Sequence, residues 1–398
     1  MIKGGNRLTL LENGSGYFPA LVAEIEAARH EIHLESYIFA NDISGGAVAQ
    51  ALMRAARRGV ETRVLLDGFG SRGLDLDCQN TMRAAGVNLY FFRPERSLLH
   101  FRRHRLRRMH RKLAVIDARI GFVGGINLID DLNGRKLVAP RQDYAVRIEG
   151  PLVADMHAAA RRLWQRILWS RLGLQRGEDA WLKPDIEPAG AQRATFLTRD
   201  SVRRRRAIEA AYLRAIARAR REILIANAYF LPGLRFRHAL IAAARRGVRV
   251  RLVVQGYSDH PMYHLAARAL YRHFLENGVE LHEYHASELH AKVAVIDGVW
   301  ATVGSSNIDP FSLLLSREAN LVVHDRSFAA QLHASLEARL QHGARPIHRQ
   351  DWRRVPWYAR FATWLAYGVV RLLMGMSGYA QTYDGMNRNT SQRKQTGQ

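Results

Sequence analysis

His110-Arg-Lys-Leu-Ala-Val-Ile-Asp117 is an eight-residue stretch that returns later in the chain as His290-Ala-Lys-Val-Ala-Val-Ile-Asp297. Each copy is followed by a turn of small residues that ends in asparagine, Gly124-Gly-Ile-Asn127 and Gly304-Ser-Ser-Asn307. The interval from histidine to asparagine is 17 residues in both copies. A chance strand end could explain one copy, but two copies with matched spacing indicate a duplicated functional element.

The apolar residues inside each copy predict a buried β-strand, in which side chains alternate between two faces. His110 and Lys112 then share one face, as do His290 and Lys292. Asp117 lies seven residues from His110, on the opposite face and roughly 23 Å away along an extended chain. A Ser-His-Asp relay within one copy is therefore excluded. The remaining pair of imidazole and ammonium suits a phosphate, because lysine can hold an oxygen while histidine attacks phosphorus or moves a proton.

Helix and strand patterns alternate in the first part of the chain and return in the same order in the second part. The strand pattern Ile32–Phe39 matches Ile223–Phe230, and Arg57-Arg-Gly-Val60 matches Arg245-Arg-Gly-Val248. An internal duplication explains these matches together with the repeated histidine motif. We therefore predict an α/β fold made of two duplicated domains, with helices packed on the sheets.

The first copy has 12 additional residues before its motif, since 24 residues separate Gly86 from His110 and 12 separate Gly278 from His290. Five arginines in this insertion alternate with apolar residues: Arg102, Arg103, Arg105, Arg107 and Arg108. A basic stretch beside a phosphate site would attract anionic head groups. A solvated loop remains the alternative explanation.

The composition is strongly basic, with 60 Lys and Arg against 36 Asp and Glu and a net charge of +24. This balance points to a polyanionic partner, which could be nucleic acid or an anionic membrane surface. The single cysteine, Cys78, fits a reducing compartment. Because we find neither a signal peptide nor a spanning segment of ~18 apolar residues, we expect the cytoplasm or its membrane face. No zinc-ligand spacing, EF-hand loop or P-loop is present, so we predict no metal and no cofactor.

The turn-rich stretch after the Trp164 helix predicts a linker between the halves. We predict a first domain at residues 1–172, a linker at 173–191, a second domain at 192–345 and a C-terminal segment at 346–398. The polar residues 387–398 are expected to be disordered. Arg203–Arg206 is a run of four arginines before a helix, which is typical of a solvated face.

The segment Trp357–Met376 is apolar except for Arg360, Thr363 and Arg371. At 100° per residue, the two arginines fall on one narrow stripe of a helix, and the large apolar residues lie away from it. This pattern predicts a helix lying in a membrane interface, with arginines at the head groups and aromatics at the acyl boundary. A helix packed on the core of the protein is the alternative, because a broad apolar face serves either purpose.

Each motif histidine needs a partner at its second ring nitrogen, which fixes the tautomer. The candidates are Asp143 and Glu318, each at the head of the strand that follows a motif. From the residues alone, either carboxylate could equally be a surface charge. Asn127 and Asn307 are candidate donors to phosphate oxygens.

The paired motifs resemble the HKD motifs of the phospholipase D superfamily, in which two halves form one active site. The resemblance implies two α/β sandwich domains related by a pseudo-two-fold axis, with the site at their interface. It also assigns an acidic residue to the positions of Asp143 and Glu318, and it groups Asp117 and Asp297 with the catalytic histidines and lysines. From our reading of the strands, these two aspartates hold the architecture.

Further stretches resemble bacterial cardiolipin synthases, in particular their B type, which lacks the transmembrane helices of other types. They are Leu66-Asp-Gly-Phe-Gly70, Phe122-Val-Gly-Gly-Ile-Asn127, Ala226-Asn-Ala-Tyr-Phe230 and Ala301-Thr-Val-Gly-Ser-Ser-Asn-Ile-Asp-Pro310. The resemblance implies phosphatidyl transfer between two phosphatidylglycerol molecules at the cytoplasmic face of the inner membrane, with peripheral attachment. By analogy with two-motif relatives, His110 is the nucleophile and His290 the acid and base.

Two other functions compete with this prediction. The basic charge also suits a nucleic-acid phosphodiesterase of the same superfamily, although two fused motifs and the apolar C-terminal segment favour lipid, so we expect no nucleic-acid partner. The other alternative is a non-catalytic membrane-binding protein, which the intact His, Lys and Asn of both copies disfavour. The acceptor alcohol, the acyl-chain preference and the oligomeric state do not follow from the sequence.

Overall fold

The computed structural model describes residues 1–94, 107–133, 139–172, 181–200, 204–257, 261–309 and 316–374. The elements of the first half are β1 (Lys3–Glu12), α1 (Asn13–Ala27), β2 (Glu31–Ser36), α2 (Ile43–Arg57), β3 (Glu61–Asp67), α3 (Leu76–Ala84), β4 (Asn88–Phe92), β5 (Lys112–Ile116), β6 (Ile120–Gly124), β7 (Tyr144–Glu149) and α4 (Val153–Leu172). Strands and helices alternate, which confirms the predicted α/β class.

The second half repeats this order. Its elements are β8 (Gln192–Arg199), α5 (Ala207–Arg218), β9 (Glu222–Asn227), α6 (Leu234–Arg245), β10 (Arg249–Gln255), α7 (Pro261–Arg268), α8 (Tyr271–Glu276), β11 (Val279–Tyr284), β12 (Lys292–Ile296), β13 (Trp300–Gly304), β14 (Glu318–Val323) and α9 (Arg326–Gly343). The chain continues into β15 (Ala344–Ile347), α10 (Arg349–Arg354) and α11 (Trp357–Met374).

The two halves share one strand order, which confirms the duplication. From the centre outwards, the first half runs β1-β7-β6-β5-β2-β3-β4 and the second runs β8-β14-β13-β12-β9-β10-β11, with β15 added at the second outer edge. Short antiparallel pairing between β1 and β8, at Lys3 with Ala194 and Asn6 with Gln192, joins the halves into a 15-stranded sheet.

The motif strands begin at a common edge of the sheet. In the first half, β2, β3 and β4 are parallel, and β5 runs antiparallel to β2. The second half places β12 against the parallel strands β9, β10 and β11 in the same way. Because β5 and β12 run against their neighbours, their first residues lie beside the carboxyl ends of the parallel strands. Ligands bind at such an edge in many α/β proteins.

The largest core contains residues from both halves and therefore fixes how the halves meet. Leu113 and Val115 of β5 belong to it together with Val293 and Val295 of β12, and all four side chains are buried. Separate cores lie under α1 and α2 in the first half and under α5 and α6 in the second. The shared core holds the starts of β5 and β12 in a defined relation to each other.

The C-terminal helix α11 packs against α7. Its contact face is formed by Thr363, Ala366 and Val370, each at most 8% exposed. The large side chains on its other faces are 58–73% exposed: Trp357, Tyr358, Phe361, Trp364, Leu365 and Leu372. The helix therefore docks on the protein through a narrow face of smaller residues and leaves a broad apolar face uncovered. Among the described residues, no helix is both long and apolar enough to cross a membrane.

Some sequence-based predictions concern residues outside the described ranges. These are Arg102, Arg103 and Arg105 of the insertion, Arg203, residues 173–180 of the linker, the end of the C-terminal helix at Met376 and the polar residues 387–398. The domain boundaries remain predictions. Strand β15 spans residues on both sides of the predicted boundary at residue 345.

Candidate active site

Each motif histidine is held by a strand end of the opposite half. The backbone N–H of His110 donates to the carbonyl of Arg317 over 2.9 Å, and that of His290 donates to Gln142 over 2.8 Å. Arg317 directly precedes β14, and Gln142 lies two residues before β7. These equivalent bonds in the two halves place both histidines at the interface between the halves.

The side chains of the two histidines also cross the interface. The Nδ1 atom of His110 lies 3.0 Å from Glu318 Oε1, and the Nδ1 atom of His290 lies 2.6 Å from Asp143 Oδ2. The Nδ1–H of each imidazole therefore donates to a carboxylate, which leaves Nε2 as the atom that can attack phosphorus or carry a proton. Each half supplies the carboxylate that orients the histidine of the other half.

The two carboxylates are positioned by small neighbours. A Cβ at Gly125 would collide with the carboxylate of Asp143, so glycine at this position leaves room for the acid. The equivalent position in the second half is Ser305, whose hydroxyl donates to Glu318. Gly125 therefore leaves space for the carboxylate of Asp143. In the second half, Ser305 binds the longer side chain of Glu318 directly.

The motif lysines are buried close to each other. Burial and the charge of Lys292 lower the pKa of Lys112 to about 7. Burial also lowers the pKa of Lys292, to about 8, against the opposing effect of Asp143. Burial raises the pKa of Asp143 to about 6 and lowers the pKa of His290 well below its ordinary value. Cations concentrated in a dry site favour an anion that can spread its charge over several oxygens.

Asp117 and Asp297 lie at the far ends of their strands and take no part in this cluster. The carboxylate of Asp117 accepts hydrogen bonds of 2.8–2.9 Å from the backbone N–H groups of residues 29–31. Asp297 accepts the equivalent bonds from residues 220–222. Through these bonds the two aspartates anchor the turn that enters β2 or β9, and their grouping with the catalytic residues stays a prediction.

The turn asparagines lie at the same edge as the histidines. Asn127 is buried, and its Oδ1 accepts from the backbone N–H of Ile38 over 3.2 Å. Asn307 is buried as well, and its Oδ1 has no hydrogen-bond partner among the described residues. Donation from Asn127 and Asn307 to phosphate oxygens stays a prediction.

Sequence reasoning missed one aromatic wall of the site. The ring of Tyr37 meets that of His110 edge-on, with centroids 4.8 Å apart, and Lys112 Nζ lies 5.4 Å from the Tyr37 ring centroid. Tyr37 directly follows β2, at the edge where the motif strands begin. The position of Tyr37 at this edge could have indicated a site residue. The equivalent residue in the second half is Ala228, so a comparison of the two halves does not single out Tyr37.

In the part of the chain that the structure describes, two groups of carboxylates and imidazoles outside the site have the spacing of metal ligands. They are Glu31 with His33 and His157, and Glu222 with His333 and Glu337. In both groups an arginine already binds the acid, since Arg63 donates to Glu31 and Arg251 to Glu222. These matched networks connect β2 with α4 and β9 with α9, and their internal ion pairs account for the acidic charge.

The arrangement can carry out substitution at phosphorus. One imidazole can attack, the other can protonate the departing oxygen, and the two ammonium groups can stabilise the charge on the non-bridging oxygens. The exchange of carboxylates between halves means that neither half contains a complete set of these groups.

Comparisons with known proteins agree with this geometry. The chain matches the family described as cardiolipin synthase, phospholipase D-like domain, over residues 21–164 and 212–340. It is 40% identical to cardiolipin synthase B of Escherichia coli strain K12, with 94% of this chain and 90% of the relative covered. It is also 29% identical to the minor cardiolipin synthase of Bacillus subtilis strain 168, over 90% of this chain and 87% of the relative.

Among solved structures, the phosphatidylserine synthase of Haemophilus influenzae aligns with a TM-score of 0.68 and 14% identity, covering 92% of this chain and 93% of that chain. This likeness shows the fold. The matched family, the identity over most of the chain and the paired motifs at one interface lead to a single conclusion. The chain belongs to the phospholipase D-like cardiolipin synthase family.

Proposed function

We propose that this protein synthesises cardiolipin by transferring a phosphatidyl group from one phosphatidylglycerol to another, through a covalent phosphatidyl-histidine. The observation that carries the proposal is the crossed pairing of His110 with Glu318 and His290 with Asp143. It provides two oriented imidazoles in one site, as a double displacement requires. The similarity to curated cardiolipin synthases supports the choice of lipid.

In the first step, Nε2 of His110 attacks phosphorus and the bond from phosphorus to the glycerol oxygen breaks. His290, as the imidazolium, gives its proton to the departing glycerol. In the second step, the now neutral His290 takes a proton from a hydroxyl of the acceptor. The acceptor oxygen attacks phosphorus, the bond to His110 breaks and cardiolipin is formed. Lys112 and Lys292 stabilise the phosphoryl oxygens in both steps.

The assignment of His110 as nucleophile rests on analogy with two-motif relatives. It can be tested by quenching the enzyme with alkali during turnover of phosphatidylglycerol that is labelled at phosphorus. Alkali cleaves acyl esters, but the phosphoramidate bond between histidine and phosphorus survives. We expect label on His110 of the wild type and none in His110→Ala, which lacks the nucleophile. Label on His290 alone would reverse the two roles.

We also propose that the protein binds the membrane peripherally through α11, at the cytoplasmic face. Six large apolar side chains on this helix are uncovered, and its polar stripe carries Arg360 and Arg371. Aromatic and aliphatic side chains flanked by arginines fit the boundary between acyl chains and anionic head groups. The net charge of +24 adds attraction to an anionic surface.

Product analysis tests the proposed reaction. Purified protein is incubated with isotopically labelled phosphatidylglycerol in mixed micelles, with excess EDTA, and lipids are identified by mass spectrometry. We expect cardiolipin and free glycerol, because the two lysines supply the charge that the chemistry needs. Parallel incubations with glycerol, phosphatidylethanolamine or plasmid DNA separate transfer, acceptor choice and nuclease activity. Phosphatidic acid as the only product, or cleavage of the plasmid alone, would overturn the proposal.

A further inference from the structure

The two halves hold their histidines with the same backbone bonds but surround them with different charges. Arg108 and Glu288 each lie two residues before a motif histidine. The carbonyl of Arg108 accepts from the N–H of Arg317 over 2.7 Å, and the carbonyl of Glu288 accepts from the N–H of Gln142 over 2.8 Å. Equivalent backbone positions thus carry two arginines beside His110, but a glutamate and a glutamine beside His290.

Four guanidinium groups gather on two aromatic rings at this side of the site. Arg72 and Arg108 each lie 4.8 Å from the ring centroid of Phe69. Arg93 and Arg317 lie 5.3 and 5.7 Å from the ring centroid of Phe92. The two rings sit on neighbouring chain segments, since the N–H of Gly68 donates to the carbonyl of Phe92 over 2.9 Å. We call Arg72, Arg93, Arg108 and Arg317 the arginine cluster.

The cluster adjoins the reacting groups. Tyr37, which contacts the ring of His110, packs against Gly70, one residue after Phe69. Arg317 directly precedes Glu318, the partner of His110. At the other side, Glu288 of the second half forms an ion pair with Arg141 of the first half over 3.1 Å.

The cations of the cluster repel one another. Burial, then Arg107 and Arg108, lowers the pKa of Arg93. Arg93 also has a φ of 49°, in the left-handed region that favours glycine, at the end of β4. Asp67 lies 4.0 Å from Arg108, but its carboxylate accepts three backbone N–H groups of the surrounding loops.

We propose that the arginine cluster binds the phosphodiester of the acceptor phospholipid. Guanidinium groups stacked on aromatic rings are fixed in orientation and still present N–H donors at their edges, which suits bidentate binding of phosphate oxygens. In the product, a single glycerol joins the two phosphates. The acceptor phosphate must therefore lie within one glycerol length of the reacting phosphorus, and the cluster begins two residues from His110.

This inference rests on the proposed function, because it assumes transfer to a second phospholipid. Its test compares two reactions that share the phosphatidyl donor and the histidines but differ in the acceptor. Cardiolipin formation needs a phosphate-bearing acceptor, whereas exchange of labelled glycerol into phosphatidylglycerol uses an acceptor with no phosphate. Both rates are measured on the full chain in short-chain phosphatidylglycerol micelles.

We expect Arg93→Gln to lower the rate of cardiolipin formation by about tenfold, as for loss of a hydrogen bond to a charged group, and to change glycerol exchange by no more than about twofold. Arg93→Lys should recover part of the loss. Arg72 is exposed, so the fold should tolerate the second variant, Arg72→Gln. This variant should also lower the ratio of cardiolipin formation to glycerol exchange. Arg83→Gln removes an equal charge from the exposed surface of α3 and should leave the ratio unchanged.

Equal losses of both reactions in the cluster variants, or no change in either, would overturn the subsite. A wild-type protein that makes no cardiolipin would instead refute the proposed function, whatever the variants do. Thermal unfolding of each variant shows whether a loss of both activities reflects misfolding. If Arg93→Gln is misfolded, the ratio of the two rates in Arg72→Gln decides whether the cluster binds the acceptor.

Discussion

Glu318 of the second half lies 3.0 Å from Nδ1 of His110 in the first half, and Asp143 of the first half lies 2.6 Å from Nδ1 of His290 in the second. The carboxylates are therefore exchanged between the halves. An imidazole whose Nδ1–H is bound to a carboxylate presents Nε2 in the correct tautomer and is stabilised when it becomes positively charged. The pairing makes each half dependent on the other for an oriented histidine.

Replacing either carboxylate by its amide should separate positioning from chemistry. We expect Glu318→Gln and Asp143→Asn to lower kcat by about 10- to 100-fold with little change in KM, because the histidine remains but loses its charged partner. Glu318→Asp keeps the charge and should retain more activity than Glu318→Gln. The measurement is steady-state cardiolipin formation. A loss confined to KM would show that these acids act on substrate binding instead.

Removing either histidine should abolish transfer without unfolding the protein. His110→Ala and His290→Ala each remove one member of the nucleophile and acid pair, so neither variant can complete both steps. Circular dichroism and thermal unfolding serve as the controls for the fold. More than a few per cent of wild-type activity in either purified variant would contradict the two-histidine mechanism.

Much of the fold was predictable from local patterns. The motif strands were predicted over residues 113–116 and 293–296 and are observed as Lys112–Ile116 and Lys292–Ile296. A short run of apolar residues between two turns is typical of a buried strand. The crossed pairing of His110 with Glu318 was not predictable. Alternation along a strand relates neighbours in sequence, whereas this contact depends on how the two halves meet through their shared core.

The C-terminal helix shows where a pattern left two outcomes open. A broad apolar face predicted either membrane contact or core packing, and the structure divides the helix between a packed face and an uncovered one. Ala366 and Val370 pack inwards, while Trp364 and Leu365 are exposed. Hydrophobicity alone could not assign these faces, because the buried stripe contains Thr363 and smaller residues and the uncovered stripe contains the larger ones.

The pH dependence of kcat/KM should have two limbs. The Asp143 carboxylate is present above its pKa of about 6, so activity should rise as pH increases through that value. The ammonium groups are lost above pKa values of about 7 for Lys112 and about 8 for Lys292, so activity should fall as pH rises through that range. The limbs report the coupled free enzyme. A profile that is flat from about pH 5 to about pH 9 would contradict this electrostatic arrangement.

Lys112 should support activity at the expense of stability. Burial lowers its pKa from 10.5 to about 7, so the unfolded chain binds this proton more tightly than the folded protein does. Between these values the unfolded state holds more protons, and the contribution of this group to stability rises with pH. At about pH 6, Lys112→Met should therefore raise the free energy of unfolding by on the order of 1 kcal/mol and lower kcat by roughly 100-fold or more. Denaturant unfolding and activity are measured together, and a destabilised Lys112→Met protein would refute the argument.

The uncovered face of α11 should govern membrane binding while leaving the chemistry intact. We expect the double variant Phe361→Ser, Trp364→Ser to lose sedimentation with phosphatidylglycerol vesicles, because two aromatic side chains that are 62% and 61% exposed no longer enter the interface. Activity on short-chain phosphatidylglycerol should stay within about twofold of wild type, since neither side chain reaches the site or the contact face with α7. Trp169→Ser is the matched control, because Trp169 is 68% exposed on α4, away from α11. Equal vesicle binding by the double variant and this control would show that α11 is not the membrane contact.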